Sequence, residues 1–146
     1  MKTMIKLNII FIFIGLLMVQ SVFAHDDNQK LFVNLSSDGI NRATMAISFS
    51  TRVLVEEKIP VTIFLNVDEV RLADNNIPKP THVNGKSTKT MLSYFMKKGG
   101  QVIVCPMCMK SVGGMKKSDL IEGAKIGSSD ITWPALFAEN TRVLSY

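Results

Sequence analysis

The chain has 146 residues, enough for one domain and hardly for two. Its formal charge of +5 comes from scattered lysines, without an arginine cluster or interleaved aromatic and basic residues, and this excludes a nucleic-acid interface.

The first 24 residues differ from the rest. Lys2 and Lys6 form a basic start, Ile9 to Met18 is an apolar run, and no charge follows as far as Ala24. Val22-Phe23-Ala24 places small-enough residues at the −3 and −1 positions of a cleavage site. We read residues 1–24 as a secretory signal peptide and 25–146 as the mature domain, periplasmic or secreted. The alternative is an uncleaved membrane anchor, for which the apolar run is shorter than the ~20 residues a span needs. No cysteine lies near the cleavage point, which excludes a lipoprotein anchor. Taking Lys2 and Lys6 from the 17 basic residues leaves 15 against 12 acidic ones, so the mature domain is only mildly basic.

The elements follow an α/β pattern. Leu31 to Leu35 reads as a strand, and Ser36 to Gly39 as a turn in which Ser37 or Asp38, or Asn41 just beyond, caps a helix over Asn41 to Lys58. Pro60 starts a second strand, Val61 to Val67, whose near-continuous β-branched and aromatic run suits burial on both faces. A short helix is expected over Asp68 to Ala73 and a loop over Asp74 to Ser87. A third helical stretch, Thr88 to Lys98, carries the apolar stripe Met91, Leu92 and Phe95 and ends at Gly99. Gln101 to Val104 is the next strand. Asp119 to Ala124 and Thr132 to Asn140 read as helical, with Pro134 in the first turn of the latter, and Arg142 to Tyr146 closes as a strand. Strands alternating with helices imply right-handed crossovers and a mostly parallel sheet covered on both faces.

Chemistry concentrates at Cys105 and Cys108, the only cysteines. A bridge between them closes a loop of about four residues, worth at best roughly 2 kcal/mol, a poor reason to keep both. Cys105 ends its strand, and in open parallel sheets ligands gather outside the carboxyl ends of the strands. Pro106 fits a first helical turn, so the sulfur is expected to feel unpaired N–H groups that lower its pKa. Between Asn75 and Ser118 there is no acidic residue but there are eight lysines, a field that favours thiolate and anionic substrates, with Lys110 the nearest cation in sequence. Ser37, Asp38 and Asp68, in loops on the same sheet edge, are candidate binding residues. Cys108, one turn on, is placed to act as a resolving thiol.

The C-x-x-C spacing leaves other readings open. Zinc needs four ligands, and neither His25 nor His82 has motif spacing to the pair. Monovalent copper accepts fewer ligands, and Met107, Met109 and Met115 crowd the cysteines, although such methionines more often pack. A thioredoxin-like oxidoreductase also places C-x-x-C at a helix start, but here the pair comes late in the chain and no tryptophan precedes it. No cofactor is expected.

The segments "LFVNLSSDGINRATMAISFS", "PVTIFLNVDEVRLA", "MLSYFMKKGGQVIVCPMCMKSVGG" and "SDLIEGAKIGSSD", with the closing "TRVLSY", resemble the DsrE-like sulfur-relay family, some of whose members have been called predicted peroxiredoxins. The resemblance implies a flavodoxin-like three-layer α/β sandwich, a homo-oligomer (trimer or hexamer), and small sulfur species or a partner protein thiol as partners. It also implies one sulfur-carrying cysteine at the end of the strand before a short helix, the position of Cys105. Cys108 is not a general feature of the relay members, which work in the cytoplasm, whereas this chain carries an export signal.

Overall fold

The computed structural model describes residues 28–37, 39–78 and 81–146. The segment read as a signal peptide, His25 and Asp38 lie outside the described residues.

Strand β1 (Lys30–Leu35) leads to helix α1 (Ile40–Glu56), then β2 (Val61–Leu65) and a 3-10 helix (Val67–Ala73). Helix α2 (Thr88–Lys97), β3 (Gln101–Val104) and the short α3 (Pro106–Ser111) follow. A 3-10 turn (Lys117–Asp119), β4 (Lys125–Ile126), α4 (Ser129–Phe137) and β5 (Thr141–Ser145) complete the chain. The strands form one five-stranded sheet in the order β4-β3-β2-β1-β5, and every pairing is parallel. The chain steps outward from β1 to β4 and then returns to β5 on the other side of β1. Right-handed crossovers therefore put α1 and α2 on one face and α4 on the other.

Period-2 alternation divides the strands between those faces. Leu31, Val33 and Leu35 of β1 join Val61, Ile63 and Leu65 of β2 in the core under α1 and α2. Ala43, Ala46 and Ile47 bring α1 onto that face, and Leu92 and Phe95 bring α2. The register sets Phe32 beside Val143 and Thr62, and Asn34 beside Ser145 and Phe64, on the face that α4 crosses. Ser87 caps α2 by accepting a hydrogen bond from the Thr90 amide at 3.2 Å. Ser87→Ala is expected to cost about 1 kcal/mol in urea denaturation; an unchanged midpoint would assign the cap no energetic role.

Four sequence expectations are corrected. Strand β2 is not buried on both faces: Thr62 and Phe64 are only half-buried, because α4 spans the second face incompletely. Its expected end, Val67, instead begins the 3-10 helix with φ 50. Residues 119–124 are not a helix. Asp119 accepts from the Lys116 amide at 2.7 Å, Leu120 bridges to Asp74, and Gly123 turns the chain at φ 90 into the unpredicted β4. Helix α4 starts three residues earlier than expected, so Pro134 lies in its interior rather than its first turn. Among the described residues no helix is long and apolar enough to cross a membrane.

Candidate functional site

Cys105 is the N-cap of α3, directly after β3. Its amide donates to the Leu65 carbonyl at 2.9 Å, extending the β2–β3 ladder by one bond, and its carbonyl accepts from Met109 at 2.8 Å, opening the helix. Pro106 follows at the first helical position, where a missing N–H breaks no bond. The half-buried Cys105 Sγ accepts from the Cys108 amide at 3.4 Å. Both cysteines are free thiols, and Cys108 is buried.

Burial pushes the Cys105 thiol up from the ordinary value of 9.0. The Cys108 amide pulls it down less strongly. The Cys108 thiol, within hydrogen-bonding reach, adds to the rise, and the Met107 amide again lowers it. The net direction reverses the sequence expectation, because loss of water around the sulfur outweighs two amide dipoles at a helix of only six residues. No lysine figures among these influences.

The remaining sequence candidates fall elsewhere. Ser37 accepts from the Gly39 amide at 3.4 Å and from Arg42 at 3.3 Å, and so shapes the turn into α1. Asp68 pairs with Arg71 at 2.8 Å, and Arg71 also donates to the Val112 carbonyl at 2.9 Å. This pair ties the turn after β2 to the end of α3. Lys110 is exposed in the last turn of α3. Asp38 lies outside the described residues. Ser37, Asp68 and Lys110 do not line the cavity to which Cys105 belongs. Met109 and Met115 pack in the core while Met107 is exposed, and His82 sits in the loop before α2. Among the described residues no cluster of three or more His, Cys, Asp or Glu side chains is placed to hold a metal.

Cys105 instead forms part of the wall of a cavity of about 530 Å³ between α4 and the second face of the sheet. Phe32, Phe64 and Val143 make its floor, Trp133 and Leu136 its helical wall, and Asn34, Gly127, Ser128, Ser129 and Thr132 its polar rim. None of the lining residues is charged. Asn34 accepts a hydrogen bond from Asn66, which fixes the amide at the end of β1. Sequence patterns do not single out these residues. The one available signal is parity, since Phe32 and Asn34, and Val143 and Ser145, alternate with the core positions of their strands.

Comparison with known proteins agrees with this architecture. No curated protein matches the sequence. The chain is similar in structure to the ychN protein from E. coli, with a TM-score of 0.67 at 20% identity, covering 81% of this chain and 99% of that one. It is similar also to MTH1491 from Methanobacterium thermoautotrophicum, a protein of unknown function, with a TM-score of 0.64 at 15% identity and the same coverage. These likenesses support the flavodoxin-like α/β fold. The DsrE/DsrF-like family model matches residues 6–146, nearly the whole chain, and with the all-parallel sheet and its strand-end cysteine this places the chain in the DsrE/DsrF-like family.

Proposed function

We propose that this protein carries sulfane sulfur as a persulfide on Cys105. Membership of the family points to sulfur relay or thiol redox chemistry in general. The observation that favours carriage is the setting of Cys105: a half-buried thiol at the carboxyl end of β3, open to an uncharged cavity and shifted upward in pKa. A fast thiol–disulfide oxidoreductase gains from a low-pKa thiol that leaves readily. A raised pKa has the opposite effects. It makes the ionised sulfur a stronger nucleophile and a poorer leaving group, so sulfur once accepted is held.

Loading is balanced as R–S–SH + Cys105–SH → R–SH + Cys105–S–SH. The Cys105 thiolate attacks the outer sulfur of the donor, the donor S–S bond breaks, and its electron pair leaves on R–S⁻, which takes up the proton Cys105 released. Release follows when Cys108, one turn on, attacks the Cys105 sulfur. A Cys105–Cys108 disulfide forms, hydrogen sulfide departs, and an external dithiol reductant restores both thiols. Direct attack by a partner protein thiol on the outer sulfur is the other exit, and it returns Cys105 as a thiol. Export by residues 1–24 and assembly as a homo-oligomer belong to the same proposal. The first rests on the sequence of that segment and the second on the family resemblance.

Persulfide mass spectrometry after exposure to polysulfide tests the reading. Wild type is expected to gain one sulfur per chain at Cys105, and Cys105→Ser to lose essentially all of it. A Cys105→Ser protein that loads as well as wild type rules the assignment out.

A further inference from the structure

The cavity beside Cys105 has a property that sulfur carriage does not require. Its polar rim presents unused hydrogen-bond donors. Ser128 caps α4 without any side-chain hydrogen bond. Among the described residues the amides of Ser128, Ser129 and Asp130 donate to no acceptor. The Asp130 carboxylate, in the same first turn, accepts from the Ser129 hydroxyl at 3.3 Å and lines the neighbouring pocket with Ile131 and Pro134. Thr132, one turn into the helix, is only 8% exposed and lines the cavity, and its hydroxyl has no partner among the described residues. That hydroxyl opens onto the cavity, where an occupant can hydrogen-bond to it. Gly127 keeps this corner open, because a Cβ there would meet Thr132 Oγ1 at 3.0 Å and the Val104 carbonyl at 3.2 Å.

We propose that the cavity is a binding site for a small organic anion with an apolar body. Its carboxylate would accept from the α4 amides and from the Thr132 hydroxyl, where the helix dipole favours negative charge. Its carbon body would lie on Phe32, Phe64 and Val143 against Trp133. The volume suits a medium-length alkyl chain or a single ring. The occupant would cover the Cys105 sulfur, and its binding needs no reaction there.

Octanoate is the probe, with octanol as its neutral counterpart, titrated calorimetrically into the full chain. Saturable binding of one octanoate per chain is expected, with octanol weaker by about tenfold, the loss of a charged hydrogen-bonding head. Thr132→Val keeps the shape and removes the hydroxyl. Ser129→Pro removes one amide at the first helical position, where proline is tolerated and the extended Ser128 before it is compatible. Each is expected to weaken octanoate about tenfold, leave octanol unchanged and leave thermal unfolding unaltered. Bound octanoate should also slow alkylation of Cys105. Octanoate binding needs no sulfur on Cys105, so failure of sulfur loading leaves this proposal standing, and the reverse holds too. The proposal is overturned if octanoate shows no saturable binding or binds no better than octanol. It is equally overturned if Phe137→Glu, an exposed position outside the lining, splits a larger assembly and only then admits octanoate, because a second copy would be the occupant.

Discussion

Gly100→Ala is expected to destabilise the protein by roughly 3 kcal/mol, at the upper end of the overpacking range. Phe95 is fully buried at the end of α2, and its ring lies over the Gly100 backbone as the chain turns into β3. A Cβ at position 100 would sit 2.5 Å from Phe95 Cε1, well inside van der Waals contact. The Gly100 amide donates to the Phe95 carbonyl at 3.1 Å, so the backbone cannot retreat without losing that bond. Phe95→Leu in the same chain frees space where the ring lies and should recover part of the loss, a coupling that a double-mutant cycle in urea reads directly. A Gly100→Ala midpoint within about 0.5 kcal/mol of wild type would mean that α2 shifts freely against β3.

The second large effect concerns the ionisation of Cys105. Site-resolved alkylation by iodoacetamide should rise about tenfold per pH unit between pH 7 and pH 9 and reach half-maximum above the ordinary thiol value of 9.0. The sign follows from the causes. Burial and the neighbouring Cys108 thiol favour the neutral form and together exceed the pull of the Cys108 and Met107 amides. Cys108→Ala removes the neighbouring thiol and leaves both amides, so the half-maximum should move down. For stability the sense is equally fixed. A raised folded-state pKa contributes stability that is complete below the unfolded thiol value and is lost as pH rises through the folded one. A half-maximum below 9.0 would reverse the assignment and favour a fast redox thiol over a sulfur holder.

Much of this fold was legible because its strong signals are local. The Leu31 to Leu35 and Gln101 to Val104 runs, the stripe Met91, Leu92, Phe95, and Pro106 after Cys105 each report on their own segment, and each lies where expected. The errors share a cause, since they depend on what packs across a distance. Apolar residues on alternate sides of β2 look like a doubly buried strand, but how far α4 covers Phe64 depends on the return crossover. Residues 119–124 have helical composition, yet the Ile121 amide bonds to the Ala73 carbonyl at 2.8 Å and fixes an extended path. At the site, the position of Cys105 could be read, but its ionisation could not. Composition shows lysines nearby, whereas burial and the amides at the helix start decide the shift. The cavity escaped the sequence because its lining comes from three strands, the start of α3, the Gly127–Ser128 corner and α4, remote along the chain.

The two margins of the sheet are unequal. Strand β4 pairs through only two residues and carries the exposed Lys125, while β5 runs for five. A stub bearing a cation is a poor template for edge-to-edge pairing, so lateral recruitment of a further strand is disfavoured along the β4 rim.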